Sequence, residues 1–197
     1  MRTDQELIRG VKRHDPGLFE ELVRRFQQRV YFTALRMLGE RDDALDAAQE
    51  VFLKIWRFAP KLSESILLER WVYRIAVNTC IDRLRSLKIY EHKQTHDNLV
   101  FLSLVEPSMN PREYAKRMEE LHQVKKALRE LTDRQRAIFV LRHFQNLKMQ
   151  EIADIMSMPL GTVKATLHQA FSKLQGFLKK AHADASVSRS KSCSQTG

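Results

Sequence analysis

Between residues 61 and 88 the chain sets Lys61, Arg70, Arg74, Asn78, Arg83, Arg85 and Lys88 among apolar residues, with Ser63 and Ser65 at the start of the same stretch. Guanidinium and ammonium groups hold phosphates through charge-assisted hydrogen bonds, and an asparagine amide has the donor and acceptor that a base edge needs. A second group, Arg142, Thr162, Lys164, Ala165, Thr166, His168, Gln169 and Lys173, mixes cations with small hydroxyl and amide side chains. A third has the opposite sign: Asp42, Asp43, Asp46, Gln49 and Glu50 gather carboxylates on one segment of a chain whose formal net charge is +10.

None of these groups has the makings of a reaction centre. The seven histidines form no His-Glu-x-x-His pattern, and no paired-carboxylate motif, glycine-rich phosphate loop or nucleophile elbow occurs. The chemistry on offer is binding, so no catalytic residue and no cofactor is expected. Cys80 and Cys193 lie far apart without metal-ligand spacing, which indicates neither a disulfide framework nor a metal site. Cys80 reads as a buried small hydrophobe.

The elements that position these side chains read as helices. Hydrophobic residues make up 43% and charged residues 29% of the chain, a globular balance, and six glycines and five prolines are too few for a turn-rich β protein. Thr3 with Glu6 forms a capping box, Asp15-Pro16 is an N-cap followed by a proline at the first helical position, and Gly39 closes a long periodic stretch. Asp42 and Asp43 suit the positive end of a third helix, which runs through Val51, Phe52, Ile55 and Trp56 to Pro60. By itself the acidic segment is ordinary dipole compensation. A fourth helix, roughly 67–87, has Trp71, Val72, Ile75, Cys80, Ile81 and Leu84 on its apolar stripe and the basic residues opposite. Trp71 on that stripe is predicted to be core rather than a base-stacking ring.

From Ile89 to Tyr114 periodicity fades, Pro107 and Pro111 interrupt, and charges nearly balance, which predicts a flexible linker; the run Leu99 to Leu102 within it could make a local contact. A helix resumes near Glu113 and stops near Leu131. Thr132 with Gln135 then caps another helix through Ile138, Phe139, Leu141 and Phe144. Two shorter helices, 149–156 and 160–178, follow around Pro159, with Ile152 and Met156 on one apolar face, Val163 and Leu167 on the next, and small Ala153 where they would cross. This spacing is that of a helix-turn-helix. Its second helix would enter the major groove with Thr162, Lys164, Ala165, Thr166 and His168 at base edges, while Arg142 and Lys173 meet phosphates. The serine-rich stretch from Ala183 lacks apolar periodicity and is expected to be disordered.

The positive charge suits nucleic acid or an anionic membrane surface. No run of about 18 apolar residues is present, and the stretch MRTDQELIRG lacks a signal-peptide core, so a cytoplasmic protein without stable membrane insertion is expected.

The chain resembles the extracytoplasmic-function group of bacterial sigma factors, in the sigma-70 family. In the N-terminal half the resemblance rests on Asp43-Ala-Leu-Asp-Ala-Ala-Gln-Glu-Val-Phe and Trp71-Val-Tyr-Arg-Ile-Ala-Val-Asn-Thr-Cys-Ile-Asp-Arg-Leu-Arg. In the C-terminal half it rests on Ala127-Leu-Arg-Glu-Leu-Thr-Asp-Arg-Gln-Arg, Glu151-Ile-Ala and Gly161-Thr-Val-Lys followed by Leu167-His168 and Leu174. It implies an all-α fold of two small helical domains, 1–90 and 114–180, joined by a flexible linker at 91–113, with a disordered tail at 181–197. It also implies that Asp43, Asp46, Gln49, Glu50 and Phe52 bind core RNA polymerase. Lys61, Ser63, Arg74, Asn78, Arg83 and Arg85 would engage and melt the minus-ten element, and Arg142, Thr162, Lys164, Thr166, His168, Gln169 and Lys173 would read the minus-thirty-five element. Promoter DNA, core polymerase and an anti-sigma factor are the implied partners, and the free chain is expected to be a monomer. Ser157 stands where such turns often carry glycine, so a left-handed conformation there would cost roughly 1 kcal/mol. Two other readings are a helix-turn-helix regulator that binds operators without polymerase, for which the acidic segment has no use, and an enzyme acting on nucleic acid, for which no motif is present.

Overall fold

The computed structural model describes residues 2–63, 65–90 and 123–192, and no strand occurs among them. The helices are α1 (Asp4–Lys12), α2 (Pro16–Leu38), α3 (Arg41–Phe58), α4 (Leu68–Tyr90), α5 (described over 123–129), α6 (Asp133–His143), α7 (Met149–Met156) and α8 (Leu160–Ser192), with a 3-10 turn at Ala59–Lys61. The expected linker at 91–113, the run 99–102 and the start of the helix leading into α5 lie outside the described residues.

Local chemistry sets the helix ends. The Thr3 hydroxyl accepts from the Glu6 amide while the Glu6 carboxylate accepts from the Thr3 amide, the reciprocal box its spacing predicts. Asp15 caps α2 by accepting from the amides of Gly17 and Leu18, and Thr132 with Gln135 repeats the box ahead of α6. Gly39 ends α2 at φ 84°, a left-handed conformation that costs glycine little.

Of the three apolar clusters among the described residues, two hold the N-terminal helices. In the first, Leu7, Ile8 and Val11 of α1 meet Leu22, Phe26 and Val30 of α2, Val51 and Ile55 of α3, and Leu68, Trp71, Val72 and Ala76 of α4. The second spans both halves of the protein. It joins Leu35, Met37 and Leu38 of α2, and Tyr73, Val77, Cys80, Ile81 and Leu84 of α4, to Ile138 and Leu141 of α6, Ile152 and Ile155 of α7, and Val163 and Leu167 of α8. The helix-turn-helix is therefore docked against the N-terminal helices, not held apart from them.

Polar contacts seal this junction. Buried Arg136 of α6 donates to the Met37 carbonyl at 2.7 Å and to the Leu128 carbonyl at 2.8 Å, placing a cation at the negative end of α2. Lys125 lies 2.6 Å from the Glu40 carboxylate, and the Arg36 guanidinium sits 4.4 Å from the centre of the Phe144 ring.

The helix expected over 160–178 runs further, as α8 over Leu160–Ser192. The stretch 177–192 has no glycine or proline to stop it. Adding one residue to an existing helix needs no new nucleus, so a helix can run on past the end of its apolar stripe.

Candidate nucleic-acid and partner interfaces

The polar and apolar site residues of α3 divide between two faces. Asp43, Asp46 and Glu50, spaced i, i+3 and i+7, turn towards α4, where the Arg83 guanidinium lies 3.7, 3.5 and 3.6 Å from them. Glu50 also meets Lys54 at 2.8 Å, and Lys54 donates to the buried Thr79 hydroxyl. The acidic patch is thus largely neutralised from within. Arg83, grouped by sequence with the basic face of α4, is brought instead to these carboxylates.

Gln49 and Phe52 face the other way, into an open groove of roughly 680 Å³ between α2 and α3, lined also by Pro16, Phe19, Val23, Leu53 and Trp56. Trp56 takes edge contacts from the rings of Phe19, 4.7 Å between centres, and His14, 4.6 Å. Leu53 is 69% exposed and Leu45 43%, unusual exposure for leucine on a helix that already buries Ala44, Ala47, Val51 and Ile55. Leu45, Leu53 and Trp56 were not singled out from the sequence. The signal was there: 45, 49, 52, 53 and 56 follow helical spacing and make a second stripe beside the one used for the core.

On α4, Arg74, Asn78 and Arg85 are exposed, and Lys61 and Ser63 are exposed on the segment before it. The Ser63 and Ser65 hydroxyls lie 2.8 Å apart. Arg85 is half-engaged by Asp82 at 3.7 Å across one helical turn, a contact of little energetic weight at the surface. Trp71 and Tyr73 are buried, as the apolar stripe predicts for Trp71, so neither offers a ring face for stacking. The Tyr73 hydroxyl donates to the Gln145 amide oxygen at 2.8 Å, and burial, followed by the charge of Glu69, pushes its pKa up to about 12. A small hollow beside these residues is lined by Ser65, Ile66, Leu67, Arg70, Trp71 and Arg74, and by Asp154 from α7.

In the helix-turn-helix, α8 buries Val163, Leu167, Ala170 and Leu174, which recur at i, i+4, i+7 and i+11. That stripe leaves Thr162, Lys164, Ala165, His168, Gln169 and Lys173 exposed and Thr166 half-buried. The Gln169 amide oxygen accepts from Gln135 at 3.4 Å. Arg142 is half-buried and donates to the Leu147 carbonyl at 3.0 Å, tying the end of α6 to the loop before α7. His143 packs against Phe139 and Phe171, and its pKa is lowered first by burial and then by the neighbouring Arg142 charge. Ser157 ends α7 at φ 52° and ψ 47°, the left-handed conformation in which a side chain is costly.

Two family models match the chain: Sigma-70 region 2 over residues 22–89, and Sigma-70, region 4 over residues 121–174. The chain is 29% identical over 177 residues to the ECF RNA polymerase sigma factor SigW of Bacillus subtilis, covering 87% of this chain and 95% of that one. It is 30% identical over 174 residues to the ECF RNA polymerase sigma-E factor of Escherichia coli K12, covering 85% and 90%. Its fold is similar to that of the sigma factor RpoE from Bartonella quintana, solved in complex with the anti-sigma factor NepR, with a TM-score of 0.62, 20% identity, and coverage of 82% of this chain and 96% of that one.

Proposed function

The chain belongs to the extracytoplasmic-function group of the sigma-70 family, and from that premise we propose how its surfaces divide the work of directing core RNA polymerase to promoters. The groove between α2 and α3 takes the polymerase. Gln49, Phe52, Leu53 and Trp56 supply apolar and amide contact there, and Asp43, Asp46 and Glu50, ordered by Arg83, add charged contact from the face of α3 turned to α4. Exposed apolar residues gathered along one groove mark a partner-binding patch, and this exposure is the observation that carries the assignment.

The α4 face holds the minus-ten element. Arg74, Asn78 and Arg85 with Lys61 and Ser63 combine phosphate-binding cations with groups able to hydrogen-bond a base held out of the stack; unstacking costs a few kcal/mol, which such contacts offset. The exposed face of α8 reads the minus-thirty-five duplex, with Thr162, Lys164, Thr166, His168 and Gln169 towards base edges and Lys173 towards phosphate. Arg142 acts by fixing the loop between α6 and α7, with its remaining donors available to phosphate. The protein is a binding factor that catalyses no reaction of its own, and an anti-sigma factor covering its exposed faces is a further partner of the kind seen with the Bartonella protein.

Run-off transcription with purified core polymerase tests this reading. Asp46→Arg should abolish core-dependent initiation while preserving helix content. Lys164→Ala should weaken binding to upstream promoter duplex by about 1–3 kcal/mol and relax its base preference, as expected for losing one base contact. Parent-like transcription by both variants would remove the residue assignments, and failure of the intact chain to associate with core polymerase would remove the function.

A further inference from the structure

Two short stretches of the N-terminal half carry charge of one sign only. No acidic residue stands between Glu6 and Asp15, where Arg9, Lys12 and Arg13 lie, or between Glu50 and Glu64, where Lys54, Arg57 and Lys61 lie. The fold brings these stretches to one corner. Leu7, Ile8 and Val11 of α1 share a core cluster with Ala59 and Leu62, so α1 packs on the 3-10 turn that follows α3. Beyond Val11 the chain turns back, with the His14 amide donating to the Val11 carbonyl at 3.1 Å and the Asp15 amide to the Gly10 carbonyl at 3.0 Å. His14 closes this helix end at φ 56°, a conformation that glycine adopts at less cost, and its ring meets that of Trp56 near the end of α3 at 4.6 Å. The end of α1 is thereby held against the segment from Trp56 to Lys61.

Several other cations of α2 and α3 sit against carboxylates: Arg24 against Glu20, Arg25 against Asp4, and Lys54 against Glu50. Lys12, Arg13, Arg57 and Lys61 make no ion pair among the described residues, and the last three are exposed. Phe58, 45% exposed, stands next to Arg57. Helices α1 and α3 both end at this corner, and each C-terminal end carries a partial charge of roughly −0.5. Dipole compensation therefore uses only part of the positive charge of these cations, and the surplus faces solvent around an aromatic ring.

Cations that track phosphates beside a ring on which a base can stack are the parts of a single-strand binding surface. We propose that the end of α1 with Arg57, Phe58 and Lys61 is a further nucleic-acid contact surface, which takes single-stranded DNA passing beyond the 61–63 segment and holds it by phosphate and by one stacked base, without regard to sequence. The proposal rests on the assignment of Lys61 and Ser63 to the minus-ten element. Lys61 belongs to both surfaces, so a strand passes from one to the other at that residue. An acidic protein segment would also suit the cations; the continuity at Lys61 and the exposed ring favour DNA.

The test is the anisotropy of a fluorescent single-stranded 20-mer of random sequence, titrated with the full chain between about 50 and 200 mM salt. Arg13→Gln with Arg57→Gln should weaken binding at least about tenfold at the lowest salt and lower the slope of log K against log salt by about 1.4, as for two single-strand phosphate contacts. Arg24→Gln with Lys126→Gln makes the same change in net charge at exposed positions elsewhere and should change affinity less than about twofold. Phe58→Ala should weaken binding at least about fivefold with the salt slope unchanged, a signature of lost stacking that a general structural defect would not give. Equal losses in the two glutamine pairs, or parent-like binding by Phe58→Ala, overturn the proposal. If the Arg13 and Arg57 pair loses helical circular dichroism, Arg13→Gln alone is read by the same criteria, with a slope change of about 0.7. In the complex with core polymerase, p-benzoylphenylalanine in place of Phe58 should cross-link to the same 20-mer. Cross-linking to a polymerase subunit alone would give the corner to a protein partner and overturn the proposal. A chain that binds the 20-mer as described yet never supports initiation with core polymerase overturns the sigma-factor reading and leaves the nucleic-acid surface standing.

Discussion

Arg136 on α6 donates to the carbonyl oxygen of Met37 at 2.7 Å, so a residue of the helix-turn-helix half completes the C-terminal end of a helix 99 positions earlier in the chain. The same guanidinium holds the Leu128 carbonyl at 2.8 Å and the Arg129 carbonyl at 3.3 Å, and the residue is only 6% exposed. Its role is to join the two halves by satisfying main-chain acceptors that packing has removed from water.

Arg136→Met should accordingly destabilise the protein by about 3 kcal/mol, because it keeps much of the buried stem but leaves charge-assisted bonds unmade and carbonyls unsatisfied. Urea unfolding checks this. A loss below about 0.5 kcal/mol would mean the carbonyls find other donors.

Ser157→Gly should stabilise by roughly 1 kcal/mol, since it relieves a side chain held at φ 52°. For a chain of this size that is an increase of about 2–4 °C in the melting temperature. The salt dependence of duplex binding should stay unchanged, because no cation is touched.

Leu53→Asp separates partner binding from folding. At 69% exposure the side chain contributes little to the core, so urea stability should shift by less than about 0.5 kcal/mol. Retention of core polymerase in a pull-down should fall at least about tenfold, a loss of roughly 1.4 kcal/mol or more. Undiminished retention would place the polymerase on another surface.

Alkaline pH should weaken the fold through two buried groups. Burial is the main cause that raises the Cys80 thiol from its ordinary 9.0 to about 12 and the Tyr73 hydroxyl from 10.0 to about 12. Both protons are held in the folded chain and released first from the unfolded one, so their contribution is fully present below about pH 9 and lost as pH climbs towards 12. Melting temperatures measured across that window should fall, and less steeply in Cys80→Ala. In the Cys193→Ser background, Cys80 should resist Ellman's reagent at pH 8 until guanidinium unfolds the chain.

Much of the molecule was legible in its residues alone. The capping boxes Thr3 with Glu6 and Thr132 with Gln135, the helix stop at Gly39 and the apolar stripes of α4 and α8 all formed as their spacing predicts. Each depends on neighbours within a turn or two of helix, where sequence distance and spatial distance nearly coincide. The helical reach of α8 to Ser192 was missed because apolar periodicity reports packing, and a helix can persist without it.

What only the tertiary structure decided is where the long cationic side chains end. Nothing in its local pattern distinguishes Arg83, drawn to Asp43, Asp46 and Glu50, from Arg74, held by the carbonyl end of α7, or from exposed Arg85. A guanidinium on a flexible stem takes the anionic acceptors that helix docking brings within reach. Those acceptors lie 33 to 81 positions away, at separations set by the packing of whole helices and by no repeat written along the chain.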